Sequence, residues 1–351
     1  HTGPLFDDTR RKYLHDAAMA KFGNDPAEKI YYPDFLADSL VKVIGQAAAQ
    51  LQPAELETAL ARREGLSFNR RYHMKNGKVA FNPGVLNPNI VGPAGPVDPD
   101  VGILLIKKQK KFLGGLTVFA VHLDCVGGTL YSADCAYYVE QTLRKSLGEK
   151  FISAYAAGTC GDLNNINVNT NELTKGYPVA EKIGTALGQT ILQEIPKLTP
   201  IKQPSLKMRS ETIIVPLQEP TPPQMEFART NISKLTDSKT PFFTKVEAVK
   251  YLDLAEKGKT WPLEVQVFRL DSETALVGLP CEIFVELGLA IKAASPFSKT
   301  IVMSICNDRP SYVPTKKAFT EGSYEVTNAR VQPGVGETLV ETAVKLLKEI
   351  K

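Results

Sequence analysis

Residues 116–121, Leu-Thr-Val-Phe-Ala-Val, restrict the fold of this chain more than any other stretch. The run carries no charge and is rich in β-branched and aromatic side chains, which predicts a buried strand. Gly114-Gly115 precede it, and His122, Leu123 and Asp124 follow at once. Then come Gly127-Gly128 and the triplet Ser132-Ala133-Asp134. A histidine leaving a buried strand, beside a carboxylate and a flexible glycine pair, is where α/β enzymes tend to keep their chemistry. The plainer alternative is a core histidine whose ring nitrogens are satisfied by neighbours.

Helix and strand patterns alternate around that run. Residues 7–22 begin with acidic residues, keep apolar positions at helical spacing and stop at Gly23, so they predict a helix. A second helix is expected over 34–51, between Pro33 and Pro53. Residues 55–68 suit a helix by propensity and a strand by alternation; they are read as a strand leading into Asn69-Arg70-Arg71. Residues 82–99 are rich in Pro, Gly and Asn, which predicts a long functional surface loop. A hairpin is expected from 101–106 and 116–121, with the basic residues 107–111 as its solvated turn. Helices are then expected at 132–147 and 178–198, with a strand at 151–157 and a polar turn at 158–165 between them. A composition shift at 200–204 marks a sub-domain break. Beyond it come a strand at 206–215, a proline-rich polar stretch and a helix at 245–257. Strands follow at 263–270 and 274–277, then a Gly-Leu-Pro-Cys-Glu turn ending at Glu282. The last elements are a helix to residue 294, a strand at 300–305, a loop at 306–315 and a helix at 336–350. The expected fold class is α/β, with mixed β-sheets, interleaved helices and the site at strand ends.

Composition narrows the function. Of the 351 residues 43% are hydrophobic and 23% charged, and the net charge of +4 is not gathered into a patch. No nucleic-acid partner is expected. No apolar run approaches the roughly 20 residues needed to span a bilayer. The 5 cysteines form no CxxC pair. Cys125, Cys160, Cys281 and Cys306 sit beside the candidate motifs and read as small packing residues, with one or two disulfides left open. Asn231-Ile232-Ser233 is a glycosylation sequon of little weight. The sequence opens at His1-Thr2-Gly3-Pro4 with no initiator Met and no signal peptide, which reads as a chain starting within a longer one.

Three further segments carry ligand-type side chains next to predicted strands. Glu282 closes a strand-to-helix turn, where a dipole-compensating carboxylate is the ordinary reading. Tyr312 lies in the loop after the strand at 300–305, and its ordinary reading is half-buried packing. Asp162 and Asn164 occupy the turn after 151–157, where both residue types are turn formers. Taken together with His122, these residues place polar groups at the ends of four buried strands.

In order along the chain, the segments resemble the neutral (alkaline, non-lysosomal) ceramidase family, which are zinc amidohydrolases. His1-Thr2-Gly3-Pro4 is similar to the end of its His-x-His-Ser-Gly-Pro segment, and Asn69-Arg70 to its Asn-Arg-Ser-Pro segment. Phe119-Ala120-Val121-His122 matches its zinc-binding Phe-Ala-Val-His. Gly161-Asp162 falls at its Gly-Asp-x-Ser-Pro-Asn turn, and Gly278 to Glu282 at its Pro-Gly-Glu-Phe segment. Residues 307–315 resemble its tyrosine-containing loop. The resemblance implies zinc ligands His122, Glu282 and Tyr312. It implies polarising or orienting roles for His1, Arg70 and Tyr324, with Asp124 beside a ligand as a supporting or general-base group. Asn164 stands at the position of the family's serine and is grouped with the catalytic residues. Zinc would generate the hydroxide that attacks an amide carbonyl.

The departures are specific. The family's first zinc histidine would lie two residues before His1, outside this sequence. Asn164 supplies no hydroxyl, and no C-terminal β domain follows. The expectation is therefore a single ceramidase-like catalytic domain over 1–351, with an upstream segment missing. It would be a Zn2+-dependent hydrolase cleaving an N-acylsphingosine or another N-acyl or ester substrate. The alternative is a non-catalytic scaffold of the same fold that binds a lipid or sugar. The resemblance also implies a lipid or small-molecule substrate, peripheral membrane contact, and a secreted or periplasmic setting.

Overall fold

The alternating segment after Pro53 resolves as a strand, because its inward positions find a sheet to pair with. In this computed structural model, which describes residues 8–25, 30–128, 130–308 and 311–351, Glu55–Arg62 pairs antiparallel with Asp100–Lys108 along its whole length. Thr58, fully buried, donates its hydroxyl to Ile103 O at 2.9 Å. The strand Lys111–Phe119 continues the sheet as the expected hairpin, with Gln109 in the turn at a φ of 55°. Ile152–Ala157 adds a parallel edge and Thr199–Pro200 a short antiparallel one, giving five strands.

Two helices, Cys135–Leu147 and Tyr177–Glu194, bury their apolar stripes with this sheet. Val139, Leu143, Ile183, Leu187 and Ile191 join Ile103, Leu105, Phe119 and Val121 in one core cluster. The helices cross closely because Gly184 and Gly188 leave room. A Cβ on Gly184 would lie 2.2 Å from Cys135 O, and one on Gly188 would lie 2.6 Å from Thr142 Cβ.

A second sheet has the order Lys207–Pro216, Thr260–Arg269, Thr274–Gly278, Lys299–Met303, the last pair parallel. Ile301 from this sheet presses on Gly102 of the first, and Ser304 N donates to Ala157 O at 2.9 Å. The sheets therefore meet near the ends of the strands that lead into the polar segments. The helices Val285–Ala294 and Val335–Ile350 pack together beside them. The mixed sheets and interleaved helices make this an α/β fold, as expected.

The chain divides into two compact units. The larger holds residues 54–215 and 262–351, and the smaller holds the described segment before residue 54 together with 216–261. In the smaller unit the helices Pro222–Ile232 and Phe242–Lys257 pack on each other, and Asp8–Phe22 joins them through Tyr13 Oη, which donates to Glu256 at 2.5 Å. The helix Tyr32–Ala49 buries no residue at all, leaving Val41 71% and Ile44 65% exposed. No described helix is long and apolar enough to cross a membrane.

Four local expectations need correcting. The proline-rich stretch contains the helix Pro222–Ile232, started by a capping box in which Thr221 and Gln224 exchange hydrogen bonds. Glu282 does not begin a helix; it forms the two-residue strand Glu282–Ile283. The loop at 306–315 contains its partner, Tyr312–Val313. Two short helices, Lys316–Glu321 and Tyr324–Asn328, follow where no element was expected.

Candidate active site

Two short strand pairs gather the polar residues. Glu282–Ile283 and Tyr312–Val313 run parallel in a register that sets Glu282 directly beside Tyr312. Neighbours in register project to the same face, so the carboxylate and the phenol share one wall. Phe68–Asn69 pairs antiparallel with Leu163–Asn164, and the adjoining Arg70 N donates to Asp162 O at 2.9 Å. Gly161 makes the junction between these pairs possible. Its N–H donates to Ile283 O at 2.8 Å, and a Cβ there would stand 2.5 Å from Glu282 O. Only glycine admits so close a backbone.

His122 lies three residues beyond Phe119, where its strand ends. It is 3% exposed, with Nδ1 2.8 Å from Leu163 O and Nε2 3.1 Å from Glu282 Oε2. A carbonyl can only accept, so Nδ1 carries a proton and Nε2 is the atom turned to the carboxylate. Burial, then the Arg70 charge, pull the imidazole pKa down. Contacts with Cys160 and the hydrogen bond to Glu282 outweigh both, and the net is a rise to about 10.

Arg70 faces this pair from the other side. Its Nε donates to Glu325 Oε1 at 2.8 Å and its Nη2 to Gly161 O at 2.7 Å. The guanidinium lies 5.0 Å from the Phe81 ring centre, 5.4 Å from that of Tyr312 and 5.8 Å from that of Tyr324. Burial opposes its charge, but Glu325 and then Tyr312 more than compensate, so its pKa is raised. Tyr312 hydrogen-bonds to Arg70 and to Tyr324, and burial followed by Glu282 pushes its phenol well above the ordinary value. The Tyr312 ring stacks on His122 with centres 6.4 Å apart and meets Tyr324 edge-on at 5.8 Å. Glu325, 0% exposed, also pairs with Arg71 at 3.1 Å and so serves two buried arginines.

Asp162 ties the turn to the next helix. Its Oδ1 accepts from Val285 N and its Oδ2 from Asn69 Nδ2, both at 2.8 Å. Burial outweighs those hydrogen bonds and raises its pKa to about 6. Backbone strain sits close by. Cys281, Ile305 and Asn307 have φ of 70°, 60° and 65°, and a β-branched residue such as Ile305 rarely adopts that conformation. Cys281 O accepts from Ile305 N, and Cys281 N donates to Asp308 O, so the two strained segments hold each other immediately before Glu282. Strain of about 1–3 kcal/mol per residue tends to collect at functional sites.

Five of the eight predicted residues thus meet: His122, Glu282, Tyr312, Arg70 and Tyr324. His1 lies outside the described residues. Asp124 pairs with Lys175, whose Nζ is 3.1 Å from its Oδ2, and its Oδ1 is buried without a hydrogen-bond partner. Asn164 is wholly buried and holds the loop, donating from Nδ2 to Asn82 Oδ1 and accepting from Ile166 N, both at 3.0 Å. Sequence reasoning missed Glu325. Its signal was the pair Arg70-Arg71 beside residues expected to be buried, which requires a buried counter-charge.

The donors fit a divalent cation in part. Zinc bonds of about 2.0–2.2 Å at tetrahedral angles put neighbouring ligand atoms about 3.3–3.6 Å apart. His122 Nε2 and Glu282 Oε2 already stand at 3.1 Å. The Nδ1 bond to a carbonyl is the support that metal-binding histidines usually have. Among the described residues, however, no group of three or more His, Cys, Asp and Glu side chains is placed to hold a metal. A third donor would be Tyr312.

No protein-family model matches the chain, and no curated protein matches it in sequence. Among solved structures it is similar to the neutral ceramidase of Pseudomonas aeruginosa, with a TM-score of 0.64 and 17% identity. The match covers 97% of this chain and 64% of that one. A ceramidase complexed with C2 is similar to the same degree, TM-score 0.64 and 17% identity, covering 90% of this chain and 56% of that one. This chain therefore spans less than two thirds of the length of either, and the likeness gives it a ceramidase-like fold.

Proposed function

We propose that the larger unit carries a hydrolase site of the neutral-ceramidase type, acting on an amide bond of an N-acyl lipid. The observation that carries the reading is the His122–Glu282 pair, set at strand ends with Tyr312 in register beside it and Arg70 opposite. His122, Glu282 and Tyr312 would hold zinc. Bound there, zinc supplies a Lewis acid that activates water and polarises an acyl oxygen.

The chain's own residues have distinct tasks in this proposal. Leu163 O fixes the His122 ring so that only Nε2 faces Glu282. Arg70 is held by Glu325 and Gly161 O and keeps the Tyr312 oxygen in place. Tyr324, half-buried and hydrogen-bonded to Tyr312, is positioned to donate to developing negative charge on the acyl oxygen. Burial of the cluster lowers the local dielectric and strengthens each of these contacts. An ester substrate, a lipid-bearing surface as partner and a secreted or periplasmic setting belong to the same proposal.

The test is elemental analysis of the purified chain for zinc, paired with an assay of fatty-acid release from an N-acylsphingosine in detergent. Stoichiometric zinc and hydrolysis, both lost in His122→Ala, are the expected result. A chain that takes up no zinc and releases no fatty acid with zinc supplied would overturn the reading in favour of a binding scaffold.

A further inference from the structure

The basic residues 107–111 make the turn of the first hairpin, and a cavity of about 380 Å³ opens beside it. That volume lies within the range of small-molecule pockets, about 300–1,000 Å³. It sits between the start of the strand Lys111–Phe119 and the turn joining the helix Cys135–Leu147 to Ile152–Ala157. A break in strand register builds its wall. Ile106 pairs with Gly114 and Lys107 with Phe112, which leaves Leu113 as the extra residue of a β-bulge. Regular alternation would send Phe112 and Leu113 to opposite faces of the sheet. With the bulge both line the same cavity, and Leu147 closes it from the helix end. All three are half-buried, so part of their apolar surface is open to an occupant.

The polar lining is cationic on balance. Lys111 and Lys150 are exposed, and neither has an ion-pair partner among the described residues. Glu149 is the one carboxylate of the lining. The negative end of the helix Cys135–Leu147 arrives here too, and Arg144 and Lys145 in its last turn offset it. Apolar walls next to unmatched ammonium groups suit a molecule with one alkyl chain and an anionic head.

We propose that this cavity binds a free fatty-acid anion, its chain against Phe112, Leu113 and Leu147 and its carboxylate at Lys111 and Lys150. The site lies at the start of the strand whose far end leads to His122, about 30 Å away, and does not depend on the hydrolase reading.

Calorimetry on the full chain tests it, with octanoate, decanoate, decanol and decyltrimethylammonium as probes below micelle-forming concentrations. Decanoate should bind saturably, one molecule per chain. Octanoate should bind about fifteenfold more weakly, because each buried methylene is worth about fourfold in affinity. Decanol should be weaker than decanoate by at least about fivefold, and the cation should not saturate. Lys111→Glu combined with Lys150→Glu, both at exposed positions, should cut decanoate affinity at least about tenfold with an unchanged Tm. Leu113→Asp should abolish binding. No saturation by decanoate would overturn the proposal, and binding to anionic vesicles in its place would assign the patch to a membrane surface. Equal affinity for octanoate and decanoate, or for decanol and decanoate, would also overturn it. So would binding that persists in the double variant, which alone decides should Leu113→Asp fail to fold.

Discussion

Two polar regions leave the same pair of short strands, and they treat buried polarity differently. Around Arg70, charges are taken fully out of water, yet each is answered: Glu325 by two arginines, Asp162 by Asn69 and Val285 N, His122 by Leu163 O and Glu282. Around Asn165 the burial is nearly as deep, but one acceptor is left unanswered and space remains beside it. The first region is a closed network whose geometry is over-determined, as a site that must hold groups in place requires. The second is left open in a narrower sense: Asn165 Oδ1 is buried out of reach of solvent and has no donor.

The sharpest way to break that contrast is to remove one member of the closed network. Glu325→Gln leaves Arg70 and Arg71 without their shared counter-charge and should cost about 3–5 kcal/mol in urea unfolding. A loss under about 1 kcal/mol would show that the network is not closed. Next is Asp162, whose carboxyl pKa rises from 3.8 to about 6 on folding. A group raised by folding adds stability below its unfolded pKa and loses it as pH climbs through the folded one. Unfolding free energy should therefore carry a downward slope from about pH 4 to about pH 6, up to about 3 kcal/mol from this group. Comparing wild type with Asp162→Asn by unfolding at several pH values should show that slope absent from the variant.

Gly161→Ala probes the junction itself, since the added Cβ would press on Glu282 O at 2.5 Å. About 1–3 kcal/mol should be lost, together with hydrolysis or zinc uptake, because Glu282 must move. Stability lost with the site's properties intact would mean that the backbone yields elsewhere. The smallest effect belongs to the open region. Asn165→Leu gives up one hydrogen bond and removes one unanswered acceptor, so thermal unfolding should change by within about 1 kcal/mol.

The parts of this architecture legible in the sequence are those with a period. Whereas 55–68, which suited helix and strand alike and was read as a strand, is one only over Glu55–Arg62, the hairpin around residues 107–111 and the helices at 132–147 and 336–350 follow from apolar spacing and punctuation. Glu282–Ile283 and Tyr312–Val313 do not, because two residues have no periodicity and their pairing is set by chains meeting from 30 positions apart. The helix Pro222–Ile232 was hidden for another reason: prolines that usually break helices here occupy the first turn, where proline is tolerated. Within the site, His122, Glu282, Tyr312, Arg70 and Tyr324 were reached through ordered resemblance rather than any local rule. Asp124 was reached by adjacency, and the structure pairs it with Lys175 although it is two residues from His122. Glu325 pairs with Arg70 across 255 positions, a distance that no local pattern records.

The helix Tyr32–Ala49 carries a consequence for how the molecule breathes. None of its side chains is fully buried and only Tyr32, Pro33 and Leu36 are half-buried, so little packing resists its opening. Its amides should trade hydrogen for deuterium at nearly the pace of a free peptide, while those of Asp100–Lys108, deep in the first sheet, wait for the whole domain to unfold. One chain would then keep two clocks, and a protease added to the native protein would read the faster one first.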